Sequence, residues 1–299
     1  MRILLLGKNG QVGQALERAL APLAGPGELV ALDRTNGGDL AQLDALAATV
    51  RQLRPQVIVN AAAYTAVDKA ESEPDQARLI NALAPEVLAK EAQALGAWLV
   101  HYSTDYVFDG SGTRPWVETD ATAPLNVYGQ TKLEGEWLIQ VNCKRHLILR
   151  TSWVYAAHGS NFAKTMLKLA QERERLTVID DQWGTPTGAE LLAGVTAAAL
   201  RQIGLAGNEA LAGLYHVAAS GETNWHAYAS HVISQGKALR PDLPWAVQEI
   251  APVPSSAFVT AARRPHNSRL DTRKLQAAFG INLPHWQLGV DEMLAQSLA

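Results

Sequence analysis

Apolar and polar positions along this chain fall into two alternating kinds of segment. Short unbroken apolar runs, such as Ile3-Leu4-Leu5-Leu6 and Val57-Ile58-Val59, read as strands buried on both faces of a parallel sheet. Between them apolar residues recur at helical spacing: Val12, Ala15, Leu16, Ala19 and Leu20 in one stretch, Leu43, Leu46, Ala47, Val50 and Leu53 in the next. The pattern predicts strands near 2–6, 28–32, 57–64, 97–102 and 146–150. It also predicts Asp39 as the N-cap of the second helix, and one long helix over 75–95 kinked by Pro85. Beyond Thr151 the alternation loosens. Helices are expected near 161–172, 189–203 and 225–236, with short strands near 176–179 and 214–218. Residues 110–126, rich in Gly, Pro and Thr, read as a surface loop, and Pro241, Pro244, Pro252, Pro254 and Pro265 mark a loop-rich segment.

The first strand runs into Gly7-Lys8-Asn9-Gly10-Gln11-Val12-Gly13 and then a helix. Strand, glycine turn and helix in that order open a dinucleotide-binding βαβ unit, because glycines let backbone approach a pyrophosphate and the helix N-terminus offers free N–H groups. The spacing is GxxGxxG rather than GxGxxG. Asp33 ends the second strand, where an acid accepts hydrogen bonds from adenosine ribose hydroxyls, or else serves as a turn residue. Arg34 follows and suits a 2′-phosphate, so NADH and NADPH are both consistent with the sequence. The small side chains of Ala61, Ala62 and Ala63 suit a close pass against a nicotinamide ribose, or tight helix packing. The expected fold class is therefore α/β, a Rossmann-type doubly wound parallel sheet with a smaller loop-rich C-terminal substrate lobe. The Rossmann domain is expected over 1–150 and the mainly substrate-binding lobe over 151–299, some of whose segments return to the sheet.

Tyr128 and Lys132 lie four residues apart, which on a helix brings their side chains onto one face, with Cβ atoms about 5–6 Å apart. A lone pair of this kind is a weak signal; its place after a dinucleotide motif strengthens it. A phenol titrates near pKa ~10 in water, and a neighbouring ammonium is expected to lower that value, so that Tyr128 can pass a proton to a developing alkoxide. Ser103-Thr104-Asp105 follows the fourth strand, at the carboxyl edge where doubly wound sheets bind ligands. Ser103 or Thr104 is a candidate to hydrogen-bond a substrate oxygen; the alternative is an ordinary turn.

Composition narrows the partners. A net charge of −3, with no basic run longer than the pair Arg263–Arg264, argues against nucleic acid. No stretch reaches the ~18 apolar residues of a membrane span, and the N-terminal apolar run is too short for a signal peptide. The single cysteine, Cys143, excludes an internal disulfide and suits a cytoplasmic location.

Together, Gly7-x-x-Gly10-x-x-Gly13, Asn60-Ala61-Ala62, Ser103-Thr104-Asp105 and Tyr128-x-x-x-Lys132 resemble the extended short-chain dehydrogenase/reductases that act on nucleotide sugars. Within that family the chain is similar, over nearly its whole length, to the branch that reduces 4-keto sugars carried on dTDP. The similarity runs through His101-Tyr102-Ser103-Thr104-Asp105-Tyr106-Val107-Phe108, Arg150-Thr151-Ser152-Trp153-Val154-Tyr155 and Arg264-Pro265-x-Asn267-Ser268. The resemblance implies NADPH- or NADH-dependent reduction of the C4 ketone of dTDP-4-dehydro-L-rhamnose, the last step of dTDP-L-rhamnose synthesis.

Carried over by position, Thr104, Tyr128 and Lys132 would be catalytic. Gly10, Gln11, Val12, Asp33, Asp39, Leu40, Ala63, Tyr64, Thr65 and Tyr102 would line the dinucleotide, beside Gly7, Gly13 and Ala62. Asp105 and Trp153 would meet the sugar, the alternative for Trp153 being a core aromatic. Arg263 and Arg264 suit the diphosphate, since arginine forks match phosphate oxygens; the alternative is a solvated pair. Phe162 and Trp183 are aromatic candidates for the base. Some relatives are magnesium-bridged homodimers; Glu190 is a weak candidate ligand, but Ala15 and Gln296 stand where acidic partners are needed, which leaves a metal doubtful and a homodimer open. Two alternatives differ in class: a 4,6-dehydratase or epimerase, disfavoured because Thr104 is followed by Asp105-Tyr106 with no Glu, and a non-catalytic regulatory subunit like that of methionine adenosyltransferase.

Overall fold

The computed structural model describes residues 1–204 and 208–299. Its first half holds β1 (Ile3–Leu6), α1 (Gln11–Leu20), β2 (Leu29–Leu32), α2 (Leu43–Leu53), β3 (Val57–Asn60) and α3 (Val67–Ala70). It continues with α4 (Pro74–Arg78), α5 (Ala84–Leu95), β4 (Trp98–Thr104), α6 (Val127–Asn142) and β5 (His146–Thr151). The second half brings β6 (Val154–Tyr155), α7 (Phe162–Glu172), β7 (Arg175–Ile179), β8 (Trp183–Gly184), β9 (Thr187–Gly188) and α8 (Ala189–Ile203). After these come β10 (Gly213–His216), β11 (Thr223–Asn224), α9 (Trp225–Leu239), β12 (Glu249–Val253), α10 (Arg273–Phe279) and α11 (Trp286–Leu298).

Six strands pair in parallel in the order β10-β5-β4-β3-β1-β2. The order reverses between β1 and β3, so a crevice opens beyond their carboxyl ends. Because side chains alternate across a strand, Ile3 and Leu5 pack on one face with Leu16, Leu20 and Leu192, from α1 and α8. Leu4 and Leu6 pack on the other with Leu46, Leu88 and Ile139, from α2, α5 and α6. Covering both faces is what lets the strands be apolar throughout. A second core joins α7, α9 and α11 through Leu167, Tyr228, Val232 and Trp286. The strand β10 completes the central sheet from the far half of the chain. Among the described residues no helix is long and apolar enough to cross a membrane.

Three expectations are corrected. Residues 75–95 form two α-helices separated by a π turn at Leu79–Leu83. Pro85 has no N–H for the Asn81 carbonyl, and the helix accommodates the loss by taking an extra residue into the preceding turn. The second helix starts at Leu43, not beside Asp39, whose Oδ1 instead accepts the Ala41 N–H at 3.0 Å in the turn before it. The proline-rich stretch contains β12, paired with β7, and beyond it the chain forms α10 and α11, for which the sequence reading gave no elements.

The π turn and α6 meet through a glycine. A Cβ on Gly135 would stand 2.1 Å from the Asn81 carbonyl oxygen, whereas one on the exposed Gly194 of α8 would meet nothing within 4 Å. Gly135→Ala is therefore expected to cost about 1–3 kcal/mol in urea unfolding. Gly194→Ala should be neutral or stabilise by up to ~1 kcal/mol. Equal effects at the two sites would contradict the close contact.

Candidate active site

Backbone proximity builds the first half of the site. Gly7 leaves β1 at φ +85°, and a Cβ there would lie 2.8 Å from Ala62 N, so the ends of β1 and β3 touch. A Cβ on Gly13 would come within 2.0 Å of the Gly7 carbonyl oxygen. Gly13 thus lets α1 rest on the turn and is absent from the cleft wall, a correction to its expected cofactor contact. The cleft itself has a volume of about 1100 Å³, and Gly7, Gly10, Gln11, Val12, Asp39, Leu40, Ala62, Ala63 and Thr65 line it.

Asp33 and Arg34 line the same cleft at the end of β2. The Asp33 Oδ1 accepts from the Thr35 hydroxyl at 2.6 Å and the Thr35 N–H at 2.8 Å, and Oδ2 from Asn9 Nδ2 at 2.8 Å. These bonds, those from Thr35 foremost, hold its carboxyl below the usual range. Lys8 Nζ stands 3.7 Å away and was not picked out in the sequence reading. Tyr64 does not line the cleft. Its N–H donates to Asn81 Oδ1 at 2.9 Å and its hydroxyl to Glu73 at 2.7 Å, which turns the ring away from the Ala62–Thr65 wall.

The second half forms where β4 meets α6. Asn126 caps α6 by accepting the Gly129 N–H at 2.8 Å. Gly129 is pressed so tightly on the Tyr106 carbonyl that a Cβ would stand 2.2 Å from it. The first turn of α6 therefore delivers Tyr128 into the cleft beside Thr104, Asp105, Tyr102 and Lys132. Thr104 Oγ1 donates to Asp105 Oδ1 at 3.1 Å and accepts the Tyr106 N–H at 3.1 Å. Lys132 is 2% exposed. Its Nζ donates to the Tyr102 carbonyl at 2.6 Å and lies 3.0 Å from His101 Nε2.

Burial dominates the electrostatics here. It pushes the Tyr128 phenol up to about 12, with the Asp105 charge adding to the rise and a Thr104 hydrogen bond opposing it. It pulls Lys132 down to about 8 against the charge of Glu136. It lifts Asp105 to about 7 against hydrogen bonds from its neighbours. The expectation that Lys132 lowers the Tyr128 pKa is corrected for this state: the Lys132 amino group donates to the Tyr102 carbonyl, and loss of water decides the phenol.

The wall opposite is aromatic. Trp153 adopts φ +47°, a left-handed conformation that costs a bulky residue about 1–3 kcal/mol. It stacks on Trp225 with ring centroids 3.6 Å apart, and Phe162 tilts against Trp225 at 4.5 Å; all three line the cleft. Trp225 was missed because it lies far from Trp153 in sequence, while Trp183 stays outside the cleft under the Arg269 guanidinium. Arg264 reaches the cleft while paired with Asp68 at 2.6 Å. Its neighbour Arg263 is exposed and outside the lining, giving only its carbonyl to Asn126 Nδ2 at 2.7 Å, so the expected pair reduces to one arginine. Glu190 is paired with Arg18 on the surface, away from the cleft. Among the described residues no group of three or more His, Cys, Asp or Glu is arranged to hold a metal ion.

Since the Tyr128 phenolate forms only as pH rises through about 12, ultraviolet difference titrations of the ligand-free protein and of Tyr128→Phe should superimpose up to about pH 10. Phenolate absorbance missing from the variant below that pH would contradict the burial argument.

Comparison with known proteins agrees with this geometry. The family model described as the RmlD substrate binding domain matches residues 1–299. The dTDP-4-dehydrorhamnose reductase of Shigella flexneri is 57% identical over 297 residues, covering 98% of this chain and 97% of the relative. A crystal structure of a dTDP-4-dehydrorhamnose reductase from Clostridium acetobutylicum superposes with a TM-score of 0.88 at 33% identity, covering 98% of each chain. The Bacillus anthracis dTDP-4-dehydrorhamnose reductase, solved in complex with NADP, gives 0.85 at 33% identity, again over 98% of each chain. A family match over the whole length, on a Rossmann-type sheet with its cleft at the strand reversal, means that this chain belongs to the dTDP-4-dehydrorhamnose reductase family.

Proposed function

We propose that this chain reduces the C4 ketone of dTDP-4-dehydro-L-rhamnose to dTDP-L-rhamnose with a reduced nicotinamide dinucleotide. The observation that carries the reading is the continuity of one cleft from Asp33, over the Gly7–Gly10 turn, to Tyr128, Thr104 and Lys132. The fit of a dinucleotide rests on this chain's own backbone. Side chains at Gly7 or Gly13 would collide with Ala62 or the turn, and the N-terminus of α1, at Gln11, opens on the cleft with its unpaired N–H groups. When bound there, the reduced cofactor supplies the hydride.

The remaining work belongs to the protein. Tyr128, neutral at physiological pH, protonates the carbonyl oxygen as it gains charge. Thr104 turns its hydroxyl from Asp105 toward the same oxygen, and Asp105, raised to about 7 by burial and so mostly uncharged only below that pH, contacts the sugar. Lys132 anchors the end of β4 through the Tyr102 carbonyl and stabilises the phenolate left on Tyr128 when it carries its own proton. Stacked Trp153 and Trp225 present a flat apolar wall to the sugar or base, and Arg264 exchanges Asp68 for a diphosphate oxygen. On the adenosine side Asp33 accepts from ribose hydroxyls, while Lys8 and Arg34 supply cations for a 2′-phosphate; we assign the chain to use both NADH and NADPH.

Purified protein with dTDP-4-dehydro-L-rhamnose should consume NADPH or NADH and release dTDP-L-rhamnose; a folded, cofactor-binding sample that consumes neither contradicts the reading. Tyr128→Phe should keep dinucleotide affinity while kcat falls at least ~10²-fold, and an unchanged kcat would remove Tyr128 as the proton donor. Asp33→Ala should weaken NADH more than NADPH, because only NADH presents the hydrogen-bonded 2′-hydroxyl; equal losses would count against that contact.

A further inference from the structure

Behind Tyr128 and Lys132 lies a buried polar array that the steps above leave unused. In the pairing of β3 with β4, Asn60 stands opposite His101. Asn60 is 1% exposed, His101 1% and Lys132 2%. The Asn60 Oδ1 accepts the Ala62 N–H at 3.2 Å, and its Nδ2 lies 3.2 Å from His101 Nδ1. His101 Nε2 in turn lies 3.0 Å from Lys132 Nζ.

The order of donors along this line is forced. A backbone N–H can only donate, so Asn60 must turn its oxygen to Ala62 and its NH₂ group to His101. His101 Nδ1 then accepts, and a neutral imidazole must carry its proton on Nε2. That N–H points at Lys132 Nζ, which can accept it only as an amine; an ammonium would set two donors face to face. The charged and titratable groups around Lys132 are few. From α6 come Tyr128 and Glu136, and from β4 His101 and Tyr102. From β5 comes Arg150, which bonds both Glu136 oxygens at 2.6 and 2.8 Å and so offsets that anion, and Asp105 lines the same cleft.

We propose that His101, fixed in its Nε2–H tautomer by Asn60, is a positioning residue that biases Lys132 toward the uncharged amine. The inference rests on the reading of Tyr128 and Lys132 as the reactive pair. Burial acts in the same direction, lowering Lys132 to about 8 and keeping His101 neutral well below its ordinary value. The Lys132 ammonium is thus present below about pH 8 and lost as pH rises through it. With it goes the cation to which the proposed function gives the stabilisation of the phenolate left on Tyr128, so the array places the alkaline limb of the reduction.

Two measurements need no turnover: nitrogen NMR of histidine-labelled protein for the His101 tautomer, and a carbon NMR titration of lysine-labelled protein for Lys132, its resonance identified by its loss in Lys132→Met. His101 should be protonated at Nε2 in the wild type. In His101→Gln the amide turns its oxygen to Lys132. In Asn60→Asp the carboxylate takes the Nδ1 proton and leaves the Nε2 lone pair facing Lys132. Each variant should raise the Lys132 pKa by about one unit, a tenfold change in the ammonium-to-amine ratio, and move the alkaline limb of kcat upward by the same amount. A protonated Nδ1 in the wild type, or a Lys132 pKa unchanged in both variants, overturns the proposal. The expected tautomer and shifts without any reduction of the keto sugar would sustain it, and would instead overturn the reading of the reaction.

Discussion

The contact between the end of β1 and the end of β3 constrains everything else in this molecule. With Ala62 N only 2.8 Å from where a Gly7 Cβ would be, no side chain fits between the strand ends. The same turn seats α1 through Gly13, which fixes where that helix points its unpaired N–H groups. Asp33 is carried to the far edge of the opening by β2, and the Ala62–Thr65 wall descends from β3 toward the reactive corner. One backbone approach therefore sets the floor of the cleft and both of its directions.

At the opposite end, loss of water replaces backbone contact as the governing effect. Tyr128, Lys132 and Asp105 are all shifted toward their uncharged forms, and in each case burial is the largest cause. A reacting carbonyl oxygen consequently meets neutral hydroxyls, and the charge that develops on it is the one the surrounding dipoles act upon. The buried Glu136–Arg150 pair fits this pattern. Arg150 bonds both Glu136 oxygens at 4% and 1% side-chain exposure, which leaves Lys132 as the adjustable cation of the corner.

Periodicity made the sheet legible. Runs such as Ile3–Leu6 and Val57–Val59 are buried strands because nothing polar interrupts them, and the glycine turn and the Tyr128–Lys132 spacing are local patterns that survive without coordinates. What could not be read depends on contacts between distant segments. His101 looks like a core residue inside Trp98-Leu99-Val100-His101-Tyr102 until the strand register sets it opposite Asn60. Trp225 joins Trp153 only through packing of the second core, and the division of labour between Arg263 and Arg264 depends on Asp68. Pro85 announced a disturbance, but not that the chain would absorb it as a π turn. In contrast, Trp286, Val290, Met293 and Leu294 are buried at helical spacing, so α11 was within reach of the same periodicity argument.

The most direct test follows the hydride itself. Reduction of dTDP-4-dehydro-L-rhamnose with a nicotinamide dinucleotide deuterated at its transferable position, read by NMR of the product, asks whether this cleft joins the two partners face to face. The account predicts deuterium at C4 of the dTDP-L-rhamnose formed, on a single face of the ring. Product lacking deuterium at C4, or label spread over both faces, would contradict a single cleft in which Tyr128 and the dinucleotide act on the same carbonyl.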